Sequence, residues 1–444
     1  MWRIVAMLVA VVLLVGIGFC LSTCHSEAAD GRVELTLLDW NWPAYTKMNR
    51  QRIAIFEKAN PDIKVRLVLG TIADPEKLLA MISGGVAPDV AYSAYQSMPY
   101  FAKRKAILPL DDFIANDKDF TMEMFFPAAV KAVRYRGKFY AVPDAGSPVS
   151  LFYNKNLFDQ YNKAHPGQHL DYPSEKWTWK EFRHAAKALT ADHDGDGRTD
   201  VFGTVDQFWS NRFPPYVWQN GGEVISADKR RCMMDSPEAI AAMQWLYDIM
   251  WVDKSALTWY TEIAGASQQT IEILFREQHV AMMMSTRYSQ EQFLGKTSFQ
   301  WDIAPLPRGP VGRATVYVGG QWMISSQTRH PEKAWRLAKF LVSDLSSEMS
   351  MRAGRAMAAN RAVTERLLKH PGIPPENDYI WIQIMADARP KDFQFIEMGS
   401  YLRKAMDELV YISQGRRKPE EACRNFTRIY NQGLKILWEE EGGP

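Results

Sequence analysis

VELTLLDWNWPAYTKMNRQRIAIFEKANPDIKVRLVLG, residues 33–70, decides the fold. Val33 to Leu38 reads as a first strand, and Ile63, Val65, Leu67 and Leu69 recur with the period of two that a strand shows. Between them Tyr45 to Ala59 reads as a helix. It stops at Asn60-Pro61, because proline has no N–H to donate and keeps the residue before it out of helical backbone. Strand, helix and strand in this order make a β-α-β unit.

Working outward, Glu76 to Ser83 reads as a second helix, ended by Gly84-Gly85, and Asp89 to Tyr92 as a third strand. Past Pro143, Val149 to Tyr153 is strand-like and Trp179 to Leu189 helix-like, so a second α/β unit follows. Val280 to Met284, Asp302 to Ala304 and Thr315 to Ile324 read as further strands. Pro331 to Leu345 and the stretches after Tyr401 and Cys423 read as amphipathic helices, with Trp335, Ala338, Leu341 and Leu345 on one buried face. The fold class is α/β, with helix-covered, mainly parallel sheets. Ligands of such sheets gather beyond the carboxyl ends of the strands, which points to Asp39 to Pro43 and Tyr92 to Ser97.

At 444 residues, 47% hydrophobic and 23% charged, the chain can bury more than one core. Its 53 basic and 51 acidic residues leave +2, which excludes the basic footprint of a nucleic-acid binder. Arg3 followed by the apolar run Ile4 to Phe19, about 16 residues, reads as an export signal rather than a spanning helix, within a leader covering residues 1–29. Two exits from it stay open. Leu21-Ser22-Thr23-Cys24 resembles a lipoprotein processing box that would lipidate Cys24, and Ser26-Glu27-Ala28 suits ordinary signal peptidase. Beyond the leader only Cys232 and Cys423 remain, as one bridge or two free thiols.

The motifs, taken in order, resemble the family 1 extracellular solute-binding proteins of bacterial ABC importers, sugar receptors of the maltose-binding type. The run includes Ile82-Ser83-Gly84-Gly85, Pro88-Asp89-Val90, Ile107-Leu108-Pro109-Leu110-Asp111 and Gly137-Lys138-Phe139-Tyr140-Ala141-Val142-Pro143. Tyr153-Asn154-Lys155-Asn156-Leu157-Phe158, Trp177-Thr178-Trp179-Lys180-Glu181-Phe182, Asn220-Gly221-Gly222 and Ala304-Pro305-Leu306-Pro307 follow, then Gly319-Gly320 before Ala334-Trp335. The resemblance implies a two-lobed periplasmic-binding-protein fold of type II with the ligand cleft between lobes. It implies a first lobe of residues 30–145 plus about 303–348, a second of about 146–302 plus 349–438, and a frayed tail at 439–444. One departure stands out: Gln96 occupies a loop where maltose-binding protein presents an acidic residue, which argues against a maltodextrin.

A sugar offers apolar C–H faces inside a rim of hydroxyls, so a receptor site needs flat rings together with polar side chains. Trp40 and Trp42 follow the first strand, beside Asp39 and Asn41, and Tyr92, Tyr95 and Gln96 follow the third. Asp144 and Ser147 lie where the chain first crosses between lobes. The resemblance adds Gln207, Trp209, Arg287 and Tyr288 on the opposite lobe, with Trp209 as stacking platform. Gly320 lets backbone approach a ligand. Against each stands a structural reading: Trp40 packing on the following helix, Asp144 capping a turn, Arg287 paired with a carboxylate, Gly320 in a bulge.

Asp192, Asp194, Asp196, Gly197 and Asp200 match positions 1, 3, 5, 6 and 9 of a calcium loop, but position 12 is Gly203. A turn built by its own Asx chemistry explains these aspartates, and a structural calcium held by Asp192, Asp194, Asp196 and Asp200 is the alternative. No cofactor is required. The sequence therefore describes an exported monomer, at the periplasm or outer membrane face. It captures a carbohydrate or polyol, hands it to ABC permease subunits, catalyses nothing, and touches membrane only through a lipid anchor. Two alternatives remain, a secreted carbohydrate-active enzyme working through two carboxylates and a sensor of the same fold for a membrane kinase.

Overall fold

The computed structural model describes residues 31–41, 43–70, 75–205, 208, 212–258, 268–290, 292–354, 356–368 and 375–439. The opening unit forms as read. β1 (Val33–Trp40) lies parallel to β2 (Ile63–Gly70), Val33 opposite Ile63 and Trp40 opposite Gly70, and the helix Pro43–Ala59 connects them. β3 (Val90–Ala94) pairs in parallel with the other edge of β1. Asp89 explains the landmark before β3: its carboxylate accepts from Thr36 N at 2.8 Å and from the Thr328 hydroxyl at 2.6 Å, pinning the strand's entry to two other segments.

A hairpin of β4 (Arg134–Tyr135) and β5 (Lys138–Phe139) precedes β6 (Val142–Pro148), which runs on into β7 (Ser150–Asn154) of a different sheet. The remaining strands are β8 (Thr204–Val205), β9 (Ala256–Leu257), β10 (Met282–Ser285), β11 (Trp301–Ala304), β12 (Thr315–Ile324), β13 (Met357–Ala358) and β14 (Ala388–Pro390). A seven-stranded sheet has the order β13-β6-β12-β3-β1-β2, with β14 beside β12, and a smaller sheet has the order β10-β7-β11. The molecule is thus two-lobed and α/β.

The expectation of mainly parallel sheets needs correction. Only β1–β2, β1–β3 and β12–β14 run parallel in the larger sheet, and β7 is antiparallel to both its neighbours in the smaller one. The cause is the crossing itself. β6 leaves the larger sheet toward β7 where β12 enters it after β11, so the two adjacent strands must point in opposite directions.

Alternation along the smaller sheet feeds two cores. Phe152 and Met283 join the first core, which fills the larger sheet's surroundings, whereas Leu151, Tyr153, Met282 and Met284 face the second. The second core takes Leu409 from the helix Gly399–Ser413 and Phe426 and Leu434 from Pro419–Glu439. The helix expected to reach Leu345 ends at Leu341; Ser343 caps a new helix, Asp344–Arg352, and Leu345 is exposed. Cys232 and Cys423 are both buried free thiols. Among the described residues no helix is long and apolar enough to cross a membrane.

Candidate functional site

Of the residues read from sequence as a binding site, Asp144 and Gly320 lie on the paired strands β6 and β12, and Arg287 reaches them through Ser147. Trp40 ends β1 half-buried, its ring tilted against Tyr45 at 6.2 Å. Asp39, expected to meet a solute hydroxyl, turns inward instead. It is 1% exposed, accepts from Asn49 Nδ2, and lies 3.5 Å from buried Arg52, whose guanidinium sits over the Trp322 ring. That ion pair fastens the first helix to β1 and leaves Trp40 and Asn41 as the groups at this strand end.

Tyr92 and Tyr95 are buried on either side of Ala94. Tyr92 packs edge-on against Trp322, and a Cβ at Gly320 would come within 2.0 Å of its hydroxyl, so the glycine makes room for Tyr92. Tyr95 stacks on Tyr317 at 5.9 Å and its hydroxyl accepts from Lys391 N at 2.9 Å. Burial raises both the Tyr95 and Tyr317 phenols, which stay neutral hydrogen-bonding groups at any ordinary pH. Tyr317 was missed in the sequence, where it is one alternating residue of a strand; a Cβ at Gly146 would meet its hydroxyl at 2.4 Å.

Asp144 is buried within β6, and its carbonyl accepts from Ala359 N at 2.8 Å. The second lobe reaches the first through Arg287, directly after β10: its backbone N–H donates to Ser147 Oγ at 3.1 Å and its guanidinium stands 3.8 Å from Asp378. The carboxylate partner foreseen for Arg287 is therefore present. Asp378 is raised above the usual carboxylate range by burial, with Arg287 opposing that rise. Tyr288 is half-buried in the same short helix. Trp42, Gln207 and Trp209 lie outside the described residues, as do Cys24 and the leader.

A cavity of about 780 Å³ also lies between the lobes, with Tyr100 and Tyr135 on one side and Phe395 and Trp438 on the other. Of the expected residues only Tyr95 and Gln96 line it. Its wall carries ten charged side chains set among aromatic and aliphatic ones.

In the aspartate loop, oxygens of Asp192, Asp194 and Asp200 lie within 4.8 Å of one another; Asp196 stands apart. Asp192 already accepts from Gly195 N at 2.8 Å and Gly197 N at 2.9 Å, which holds its carboxyl below the usual range, and Asp200 accepts from His193 N at 2.7 Å. Asp194 and Asp196 each bond the amide two residues on, so all four carboxylates support the turn.

Residues 43–344 match the family model described as "Bacterial extracellular solute-binding protein". Among curated relatives, an arabinooligosaccharide-binding protein of Halalkalibacterium halodurans is 24% identical over 87% of this chain and 83% of its own. A maltotriose-binding protein of Pyrococcus abyssi is 20% identical over 80% and 77%. Among solved structures, an ABC substrate-binding protein of Listeria monocytogenes in complex with cycloalternan superposes with a TM-score of 0.76 at 25% identity, over 90% of this chain and 99% of that one.

Proposed function

The chain belongs to the bacterial extracellular solute-binding proteins, and on that premise we propose that it is the substrate-binding subunit of an ABC importer for an oligosaccharide. The observation that carries this reading is the crossing itself: two sheets joined by strands that pass from one to the other, with Arg287 after β10 of the smaller sheet donating to Ser147 on β6 of the larger one. Relatives named for arabinooligosaccharide and maltotriose, and a structural neighbour holding cycloalternan, support a carbohydrate of several units.

The mechanism is a shift of population. A solute that touches both lobes binds the closed arrangement better than the open one and stabilises it by that difference alone. Closure is what the membrane permease reads. The protein works as an exported monomer, tethered through Cys24 where lipidation uses the first exit, and leaves its ligand chemically unchanged.

The test is a thermal-melt panel of the leaderless protein against arabino- and malto-oligosaccharides, polyols and phosphorylated sugars. A ligand at 100 times its dissociation constant adds about 2.7 kcal/mol of stability. One sugar class is expected to raise the melting temperature and be recovered intact. Cleavage of that sugar would make the protein an enzyme and sink the proposal.

A further inference from the structure

The inter-lobe cavity has a wall chemistry that the carbohydrate site does not use. The first lobe contributes Lys103 from the helix Met98–Lys103, Lys131 at the end of Pro127–Ala132, and Arg134 and Arg136 from the β4–β5 hairpin. Lys229 comes from the second lobe, and Arg389 and Lys391 come from β14, which pairs with β12 in the larger sheet, and from just after it. Three carboxylates share the wall, and each has a cation nearby: Glu223 takes both arms of Arg389 at 3.0 and 2.7 Å, Asp392 lies 4.0 Å from Lys229, and Glu397 lies 3.3 Å from Arg104. The wall holds six cationic side chains against three acidic ones, besides Lys391, whose ammonium burial draws down to about 7, in a chain whose whole net charge is only +2.

From this geometry we propose that the cavity binds a small polyanion, a solute with two or more negative charges, at a site separate from the carbohydrate site and bridging the two lobes. Charges of one sign lining a concave, partly apolar wall focus their field into it and concentrate counter-ions there. Ammonium and guanidinium groups give phosphate or carboxylate oxygens charge-assisted hydrogen bonds, stronger than neutral ones. The volume of about 780 Å³ lies in the range of small-molecule sites, and Tyr100, Phe395 and Trp438 give the body of an organic anion apolar surface. Because both lobes supply cations, a bound anion screens their repulsion and favours the lobe arrangement that brings them together. Binding of the anion and of the carbohydrate are then linked, each changing the other's affinity by the same factor.

The experiment is calorimetric titration of the intact mature protein with inorganic pyrophosphate, and in parallel with citrate, at constant ionic strength held by potassium chloride. Lys131→Gln and Lys229→Gln remove one cation from each lobe at sites open enough for the fold to persist, which circular dichroism verifies. Lys64→Gln/Lys180→Gln, both exposed and outside the cavity, control for bulk charge. The expected result is saturable binding of at least one probe, weakened about tenfold by each cavity variant and unchanged in the control. Binding of pyrophosphate alone assigns the site to phosphates, and of citrate alone to carboxylates. No saturable heat with either probe, equal affinity in wild type and the Lys131→Gln/Lys229→Gln pair, or an equal loss in the control overturns the proposal. A carbohydrate melt run without anion keeps that failure distinct from failure of the sugar reading.

Discussion

Lys391 is 5% exposed just after β14, and burial draws its ammonium down to about 7. An unfolded lysine titrates near 10.4, so between those values the unfolded chain holds a proton that the native one has lost. Stability therefore rises with pH across this window: the penalty is full below about 7 and gone above about 10.4. Lys391→Met is expected to raise stability at pH 6, by on the order of 5 kcal/mol, and to flatten the rise seen in urea melts between pH 6 and 9. An unchanged slope in the variant would clear Lys391 of the effect. At the junction, Trp40→Ala is expected to weaken carbohydrate binding at least tenfold by fluorescence titration, about 1.4 kcal/mol, with little loss of stability because the ring is only half-buried. What could be read of the site was its local part. Trp40, Tyr92 and Tyr95 follow from strand ends, whereas the inward turn of Asp39, the Tyr95–Tyr317 stack and the Arg287–Asp378 approach join residues far apart in the chain.

Among the elements, the helix Trp179–Ala188 starts with a reciprocal cap: Thr178 accepts from Lys180 N, and Glu181 accepts from Thr178 N at 2.9 Å. Thr178→Ala is expected to cost about 1 kcal/mol, read as a lower melting temperature with carbohydrate affinity unaltered. The aspartate loop yields a different expectation. Its carboxylates already serve backbone amides, so calcium added to chelator-treated protein is expected to give no heat and no melting shift. A saturable heat lost in Asp192→Asn would instead assign the cation to the loop. Elements whose signal is local were legible: the period of two in β2, the stop at Asn60-Pro61, the positive φ of Gly85. Strand direction at the crossing was not, since Pro148 meets Tyr317 and no short-range pattern records that pairing. Leu345 misled because apolar spacing continued past Leu341, while Ser343 caps a new helix in which Leu345 is exposed.

Taken whole, the molecule makes closure measurable. Small-angle scattering of the mature protein is expected to show a smaller radius of gyration with the identified sugar than without it, and Ser147→Ala, which removes the acceptor of Arg287 N, is expected to shift that balance. The interleaved topology has a consequence on another timescale. The larger sheet takes strands from both ends of the chain: β1 begins at Val33, yet β12, β13 and β14 arrive only by Ile324, Ala358 and Pro390. Loops that long must close before the pairing rewards them, so folding is slow and the central strand β3 waits for β12 beside it. A chain passing N-terminus first through a membrane pore cannot complete its first lobe until most of it has crossed. The same wiring that joins the two lobes thus defers the first lobe's final collapse until its last strands, β12, β13 and β14, have arrived.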